Sequence, residues 1–308
     1  MQYDAESGLF LPRSRKALHE RRLLEVKQHH QLLMGGGLPT VPEAVAIYNA
    51  LTSWWPLDDN DASGFRDQHG ANPLSVKKAS AASTSSANSN TTAAKIAAGL
   101  TRSYGVIASL YSHQFAYIPD SNAALDQPNT SFTFFGWLGG NNNPLGAARF
   151  LFQGGGGQIY MYIDSADGFF KARLTDSTAT IITINTGAVF PLNSMRFVAF
   201  GLDRTNNLMR LRLKGPSTFD GGAVTNINMT TPFPNPMQAP DANANFSLGE
   251  LPVNEVVASG TYRNFEDGGY WSNAGYVQGK SLSDAEFDYL FNAGAGRSYA
   301  SLLTDSGH

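Results

Sequence analysis

The stretch TSFTFFGWLGG, residues 130–140, leaves the fewest folds open, because it is apolar on both of its faces. Successive side chains of an extended strand point to opposite sides. Phe132, Phe134 and Gly136 therefore share one face, and Thr133, Phe135 and Trp137 the other. Such a strand must be buried on both sides or lie at an interface, which places it near the centre of a sheet. Short strands with turn signals surround it. RFLFQGGGGQIYMYID (149–164) reads as a hairpin with its glycines in the loop. FFKARL, TATIITINTG and SMRFVAFGLDRTNNLMRLRLKG continue the series, with DRTNN joining two alternating strands. No helical period separates these strands, so the pattern points to a sandwich or barrel rather than to βαβ units.

One helix closes the series. In LSDAEFDYLFNAGAGRSY (282–299), Ser283 is placed to cap the first turn and Glu286 to reach back and complete a capping box. Asp284 and Glu286 put negative charge at the positive end of the helix dipole. Ala285, Phe287, Leu290 and Phe291 form an apolar face, and Gly294 is the expected left-handed terminator. About three turns are too few to persist alone in water, so this face has to be buried on something.

Composition narrows the class. A chain of 308 residues, 42% hydrophobic, holds one large core or two modest ones, and only 15% of it is charged. A net charge of -3 argues against a whole-protein nucleic-acid binder. With no cysteine there is neither a disulfide framework nor a thiolate site. No apolar run approaches the roughly 18 residues of a membrane span, and MQYDAESGLF lacks the basic and apolar regions of a secretory signal. The expectation is a soluble protein made in a cytoplasm, which release by lysis would still carry outside.

Two segments stand apart from the β pattern. Residues 1–50 are expected to form a basic helical arm and linker: a helix over 13–34 carries Arg13, Arg15, Lys16, Arg21, Arg22 and Lys27 against two glutamates, and GGGLPTVP (35–42) follows as a hinge. Such an arm suits docking onto an acidic partner surface or nucleic acid, or packing on its own domain. The run KKASAASTSSANSNTTAAKIAAG (77–99) has almost no large apolar residue and reads as a surface loop, ordered by a neighbour or solvated.

The order of the motifs from 51 to 299 carries a family resemblance. SWWPLDDNDASGFRDQHGANPLS, FAYIPD, SFTFFGWL, the glycine hairpin, MRFVAFGLDRTNNLMRLRLKG, NFSLGEL and GYVQGKSLSDAEFDYLFNAGAG succeed one another as in the concanavalin A-like lectin/glucanase superfamily, which this chain resembles in its laminin-G-like branch. The most specific part is the C-terminal LS-x-x-E-hydrophobic helix with its Asn-x-Gly ending. The resemblance implies an all-β fold over 51–308, two antiparallel sheets in a jelly-roll sandwich, with the short C-terminal helix capping one side. Lectins, glycosidases, adhesion modules and bacteriophage virion proteins share that fold, so function has to be argued from residues.

Catalysis finds little support. Glucan hydrolases of the superfamily carry a Glu-x-Asp-x-x-Glu strand, whereas none of the eight glutamates here lies in such an array. Glu266 and Asp267 are adjacent, and on a strand would face opposite ways. A Tyr/His lyase would need His69 or His113, and no neighbour in sequence completes either. QGGGGQ lacks the Lys-Ser/Thr of a phosphate loop, and His29 and His30 are consecutive rather than four apart. The reading is therefore a non-enzyme without a cofactor, with Ca2+ at Asp164, Asp167 or Asp203 as the metal option and turn formation as the competing role. For glycan contact, YRNFEDGGYWSNAGY (262–276) gathers Tyr262, Phe265, Tyr270, Trp271 and Tyr276 beside Asn, Asp and Gly. Taken together, the expectation is a virion structural protein, a capsid decoration or tail component, that docks by its arm to other virion proteins, is a homo-oligomer, and displays a lectin-like sandwich. The alternative is a carbohydrate-binding adhesion module outside any virion.

Overall fold

The computed structural model describes residues 2–4, 9–11, 40–57, 65–78, 81–84, 89–90, 100, 103–105, 114–118, 130–139, 149–154, 159–164, 166–190, 195–215, 224–230, 235–237, 246–248 and 270–308. In chain order the strands are β1 (Gln2–Asp4), β2 (Leu9–Leu11), β3 (Leu51–Trp55), β4 (Ser75–Lys78), β5 (Ala81–Thr84), β6 (Ser89–Asn90), β7 (Ser103–Gly105), β8 (Gln114–Ile118), β9 (Phe132–Gly139), β10 (Arg149–Gly154), β11 (Ile159–Ile163), β12 (Phe169–Thr175), β13 (Ile181–Val189), β14 (Met195–Asp203), β15 (Leu208–Lys214), β16 (Val224–Thr230), β17 (Phe246–Leu248) and β18 (Tyr270–Gln278). Helices α1 (Pro42–Ala50), α2 (Asp284–Phe291) and α3 (Tyr299–Ser306) complete the described elements, with a 3-10 turn at Asn292–Gly294.

β1 and β2 pair with each other as a separate two-stranded sheet, and the other strands form two large antiparallel sheets. The first runs β16-β15-β14-β9-β18-β7-β6, with β3 also paired to β18; the second runs β13-β12-β11-β10-β17-β8-β4-β5. β9 sits mid-sheet and all its residues are buried, as its two apolar faces require. Phe132, Phe134 and Leu138 join Val198, Phe200, Met209 and Leu211 in the core between the sheets. Phe135 and Trp137 join Met195, Phe197 and Ala199 in a second core, between the first sheet and the helices. The second sheet supplies Ile159, Met161, Phe170, Ala172 and Leu174 to the inter-sheet core.

The C-terminal helix does what its ends predict. Ser283 Oγ accepts from Glu286 N and Ser283 N donates to Glu286 Oε2, so the capping box is complete. Phe287 and Leu290 are buried and Phe291 stacks on Trp137, with ring centroids 5.8 Å apart. Two expectations need correction. Ala285 is exposed, and buried Glu286 takes the inward position, its carboxylate held by Lys280 and the Ser283 amide. Asn292, not Gly294, is the first left-handed residue (φ 48°), with Ala293 and Gly294 continuing the turn. An Asn side chain tolerates that region, and here its Nδ2 also bonds Gly296 O.

Cations from β15 tie this helix to the sheet. Met209, Leu211 and Leu213 face the inter-sheet core, so Arg212 and Lys214 emerge on the helix side. There Arg212 pairs with Asp284 and lies 5.4 Å over the Phe287 ring, while Lys214 pairs with Asp288 and lies 5.6 Å over Phe291. Burial pulls Lys214 below its ordinary pKa. A buried cation is tolerated only with such a partner.

The N-terminal part of the body is organised by the Asp67–Gly70 turn. Asp67 Oδ1 accepts from Trp54 N (2.9 Å), His69 N (3.0 Å) and Gly70 N (2.9 Å), and Oδ2 from Asn72 N (3.2 Å). Asn72 then bonds Ser53 Oγ through Nδ2 and receives Trp55 Nε1 on its carbonyl. One carboxylate thus locks the turn onto β3.

The described body begins before residue 51. α1 packs on α2 and α3, and Val41 N bonds Asp305 O at 2.7 Å, so the end of the expected linker is structural. The helix expected at 13–34 lies outside the described residues. The polar run at 77–99 is not simply a loop: Lys77, Lys78 and 81–84 form a β4-β5 pair in the second sheet, and β6 pairs β7 in the first. Backbone ladders need no large side chain, which lets Ala, Ser and Thr serve at a sheet edge. No described helix is long and apolar enough to cross a membrane.

Candidate functional site

The two sheets differ in what covers them. Helices lie on the outer face of the first, whereas among the described residues no helix packs on the second. The outer face of the second sheet is therefore the candidate surface, and the β11-β12-β13 meander shows how it is built.

Strand alternation sorts its residues. Ile159, Met161 and Ile163 point into the core, leaving Tyr162 on the outer face; in β12, Phe170, Ala172 and Leu174 point in, leaving Lys171 and Arg173 out. The register pairs Tyr162 with Lys171 and Lys171 with Asn185, and Tyr160 with Arg173 and Arg173 with Thr183. Two cross-strand rows result. Asn185 and Thr183 are exposed, and Tyr162, Lys171 and Arg173 are partly so.

The turn from β11 to β12 fixes the charge at one end of these rows. Asp164 Oδ1 accepts from Ala166 N and Asp167 Oδ1 from Phe169 N, each at 2.9 Å, and Gly168 occupies the left-handed position (φ 71°). Their other oxygens converge on Lys171 Nζ, at 2.8 Å from Asp164 and 2.6 Å from Asp167. Burial alone would lower Lys171, but the hydrogen bonds from the two carboxylates outweigh it and raise its pKa. Lys171 in turn lowers Asp164. Burial, with Asp164 close by, raises the Tyr162 phenol, which remains a hydrogen-bond donor at neutral pH.

A phenol, a guanidinium, an ammonium ion-paired to two carboxylates, an amide and a hydroxyl present donors and acceptors at strand spacing, which is what recognition of a polyhydroxylated ligand uses. Asp164 and Asp167 share one ammonium, so neither is set across a cleft as acid and base.

The structure places the sequence-derived candidates differently. Trp271 and Tyr276 are fully buried: Trp271 meets Phe134 edge-on at 5.9 Å, and both belong to the inter-sheet core. Gly136 makes that room, since a Cβ there would come within 3.0 Å of the Trp271 ring. These two side chains are core and not surface contacts. Tyr270 starts β18, while Tyr262, Phe265, Glu266, Asp267, His113, His29, His30 and the six arm cations Arg13, Arg15, Lys16, Arg21, Arg22 and Lys27 lie outside the described residues. Of the Ca2+ candidates, Asp164 and Asp167 already hold Lys171, and Asp203 closes its turn on Asn206 N and Nδ2. Among the described residues no three His, Cys, Asp or Glu side chains gather as a metal cluster. His69 does find a partner invisible in sequence: its Nδ1 lies 3.1 Å from Tyr299 Oη. Burial lowers the imidazole and raises the phenol, and Tyr48 packs edge-on to His69 at 5.0 Å while stacking on His308 at 3.9 Å. This is a packed aromatic joint between α1, the Asp67 turn and α3. The Tyr162 face was within reach of sequence reasoning, because alternation along IYMYI sends Ile159, Met161 and Ile163 to the core and Tyr162 to the other face.

Comparison with known proteins agrees at the level of fold. No family model matches the chain, and no curated protein does. Among solved structures it is similar to the binding domain of Paraclostridial Mosquitocidal Protein 1 (TM-score 0.55, 14% identity, 80% of this chain and 53% of that one). It is also similar to the botulinum neurotoxin serotype D binding domain (TM-score 0.51, 11% identity, 81% and 52%) and to the botulinum neurotoxin DC binding domain solved in complex with SialylT (TM-score 0.50, 12% identity, 80% and 52%). The chain spans about half the length of these domains. What fold and comparison define together is a class, the antiparallel all-β sandwich. The three structures named are all binding domains by their descriptions.

Proposed function

We propose that this chain is a carbohydrate-binding adhesion module, a lectin-like sandwich that holds glycan on the outer face of its second sheet around Tyr162, Lys171, Arg173, Thr183 and Asn185. The observation that carries this reading is the asymmetry of the sandwich: helices bury one outer face, and the other presents an aromatic and polar lattice. Support comes from similar folds solved with SialylT and with N-acetylneuraminic acid. The jelly-roll connectivity of a concanavalin A-like domain suits such a face. The test is a glycan array with the full chain, followed by titration of the best ligand. Truncating Tyr162 to Ala should weaken binding about tenfold, the loss of about 1.4 kcal/mol expected for one sugar-ring contact. Retention of no glycan by the wild type, or unchanged affinity in Tyr162→Ala combined with Arg173→Ala, would remove the proposal.

Display of the same sandwich on a virion, made in the host cytoplasm, is the second reading. It is favoured by the six Lys and Arg of residues 13–34 ahead of a Gly and Pro hinge, which suit docking on other virion proteins. A chain lacking residues 1–39 should fold yet fail to enter particles, and normal incorporation would refute it.

A further inference from the structure

A bulge in β13 re-aims one side chain onto the outer face of the second sheet. Phe169 and Lys171, two residues apart in β12, pair with Val189 and Asn185, four apart in β13. The longer strand turns back inside the bulge at Gly187, whose φ is 65° and whose N–H is held by Asn185 Oδ1. In a regular ladder the partner of Phe169 would be Gly187; the bulge puts Val189 there instead. Among the described residues the exposed large hydrophobics are Ile181 and Val189, and Val189 is the more open at 65%.

This valine is built against the turn that carries the charges of the candidate face. Phe190 N donates to Gly168 O at 2.8 Å, which pins the end of β13 to the turn between β11 and β12. Gly168 lies beside Val189, since a Cβ on the glycine would come within 3.2 Å of Val189 Cγ1. Phe170 is in the core, so Phe169 faces outward with Val189 as its cross-strand partner, and Lys171 Nζ lies 6.0 Å from the centre of its ring. Two apolar side chains thus border the group formed by Asp164, Asp167 and Lys171. That group is polar without being cationic. Lys171 gives two of its three N–H to the carboxylates, and one ammonium against two carboxylates leaves a negative charge in excess.

We infer, on the footing of the glycan reading, that this corner is a subsite for the acetamido group of a neutral N-acetylated hexosamine. The acetyl methyl covers Val189 and the Phe169 ring. The amide beside it meets Lys171 and a carboxylate: its carbonyl oxygen accepts the third N–H of the ammonium, and its N–H donates to a remaining lone pair of Asp164 or Asp167. Positions 169 and 171 stand about 6.6 Å apart along the strand, at about 3.3 Å per residue. An acetamido group at Phe169 therefore leaves the sugar ring over the row of Tyr162, Lys171 and Asn185. Other substituents suit the corner less well. A plain hydroxyl leaves Val189 wet, a deoxy-sugar methyl covers the valine but brings nothing to the ammonium and carboxylates, and the carboxylate of an acidic sugar meets the excess negative charge.

The test is ligand-observed NMR titration of the full chain with the methyl glycosides of N-acetylglucosamine, N-acetylgalactosamine, glucose, galactose and N-acetylneuraminic acid. At least one acetamido sugar should bind about tenfold more tightly than its hydroxyl counterpart, with saturation transfer strongest at the acetyl methyl, and more tightly than the acidic sugar. Val189→Thr keeps the β-branched shape at an exposed position, so it should retain the wild-type melt. It should cut the acetamido preference about fourfold, the contribution of one buried methyl, without weakening glucose or galactose, and Val189→Ile should preserve the preference. Equal binding of acetamido and hydroxyl sugars, tighter binding of the acidic sugar, or a preference untouched by Val189→Thr would overturn the subsite and leave the glycan reading standing. Binding of none of the five probes by a chain that retains other glycans on the array would do the same, whereas a chain that retains no glycan at all would remove both.

Discussion

Replacing Asp67 by Ala should cost about 4 kcal/mol of stability, and replacing it by Asn should cost less than half of that. The carboxylate accepts four backbone N–H groups, from Trp54, His69, Gly70 and Asn72. Gly70 is exposed and can turn its N–H to water. The other three bonds are part-buried, and at about 1 to 1.5 kcal/mol for each unmet donor the loss is about 4 kcal/mol. Asn keeps an oxygen where Oδ1 accepts three of the bonds and sets an amide NH2 against Asn72 N–H, at about 1 to 2 kcal/mol. Glycine is required at the end of the turn, since a Cβ on Gly70 would press on Thr52 O and come within 2.8 Å of Asp67 Oδ2. Urea unfolding followed by tryptophan fluorescence measures the effect directly, because Trp54 and Trp55 lie on the strand this turn secures. Equal losses for Ala and Asn, or a loss below about 1 kcal/mol for Ala, would show that the turn is held by packing and not by the carboxylate.

Two further outcomes follow from the same structure. Asp176 accepts from Asn235 Nδ2, Thr178 and the Thr180 amide, and these bonds hold its pKa at about 2, below the usual carboxylate value. A depressed carboxylate contributes stability that is complete above its unfolded pKa of about 3.9 and is lost as pH falls toward 2; the urea midpoint of the wild type should therefore drop more steeply from pH 4 to 2 than that of Asp176→Asn, and parallel curves would refute the role. Gly275→Ala places a Cβ 2.7 and 2.8 Å from ring carbons of Phe135, which is itself wedged against Trp54 at 5.3 Å. Overpacking of this kind costs about 1 to 3 kcal/mol. Adding Phe135→Leu should recover part of it, and strict additivity in that double-mutant cycle would count against the contact.

The comparison of sequence with structure separates two kinds of information. Periodicity and capping act within a few residues, so they are legible in the chain. The two-faced β9, the β10-β11 hairpin, the DRTNN turn and the Ser283–Glu286 box all appear where their patterns put them. Which aromatic is wet is a different matter. Trp271 and Tyr276 carry the residue types of a sugar site, yet β18 lies between β9 on one side and β3 with β7 on the other, inside the sandwich. Arg212 and Lys214 look like surface cations in sequence and are buried under α2, because Asp284 and Asp288 meet them there.

What the sequence determined on its own is therefore the apolar central strands, their inward faces and the closing helix, since each depends on neighbours along the chain, whereas the small-residue strands β5 and β6 carry no such pattern. The tertiary structure alone decided which sheet the helices cover, and so that Tyr162, Lys171 and Arg173 face outward while the aromatics of β18 do not. Burial is a property of the partner across the gap, and that partner stands a hundred or more residues away, as Phe134 does from Trp271.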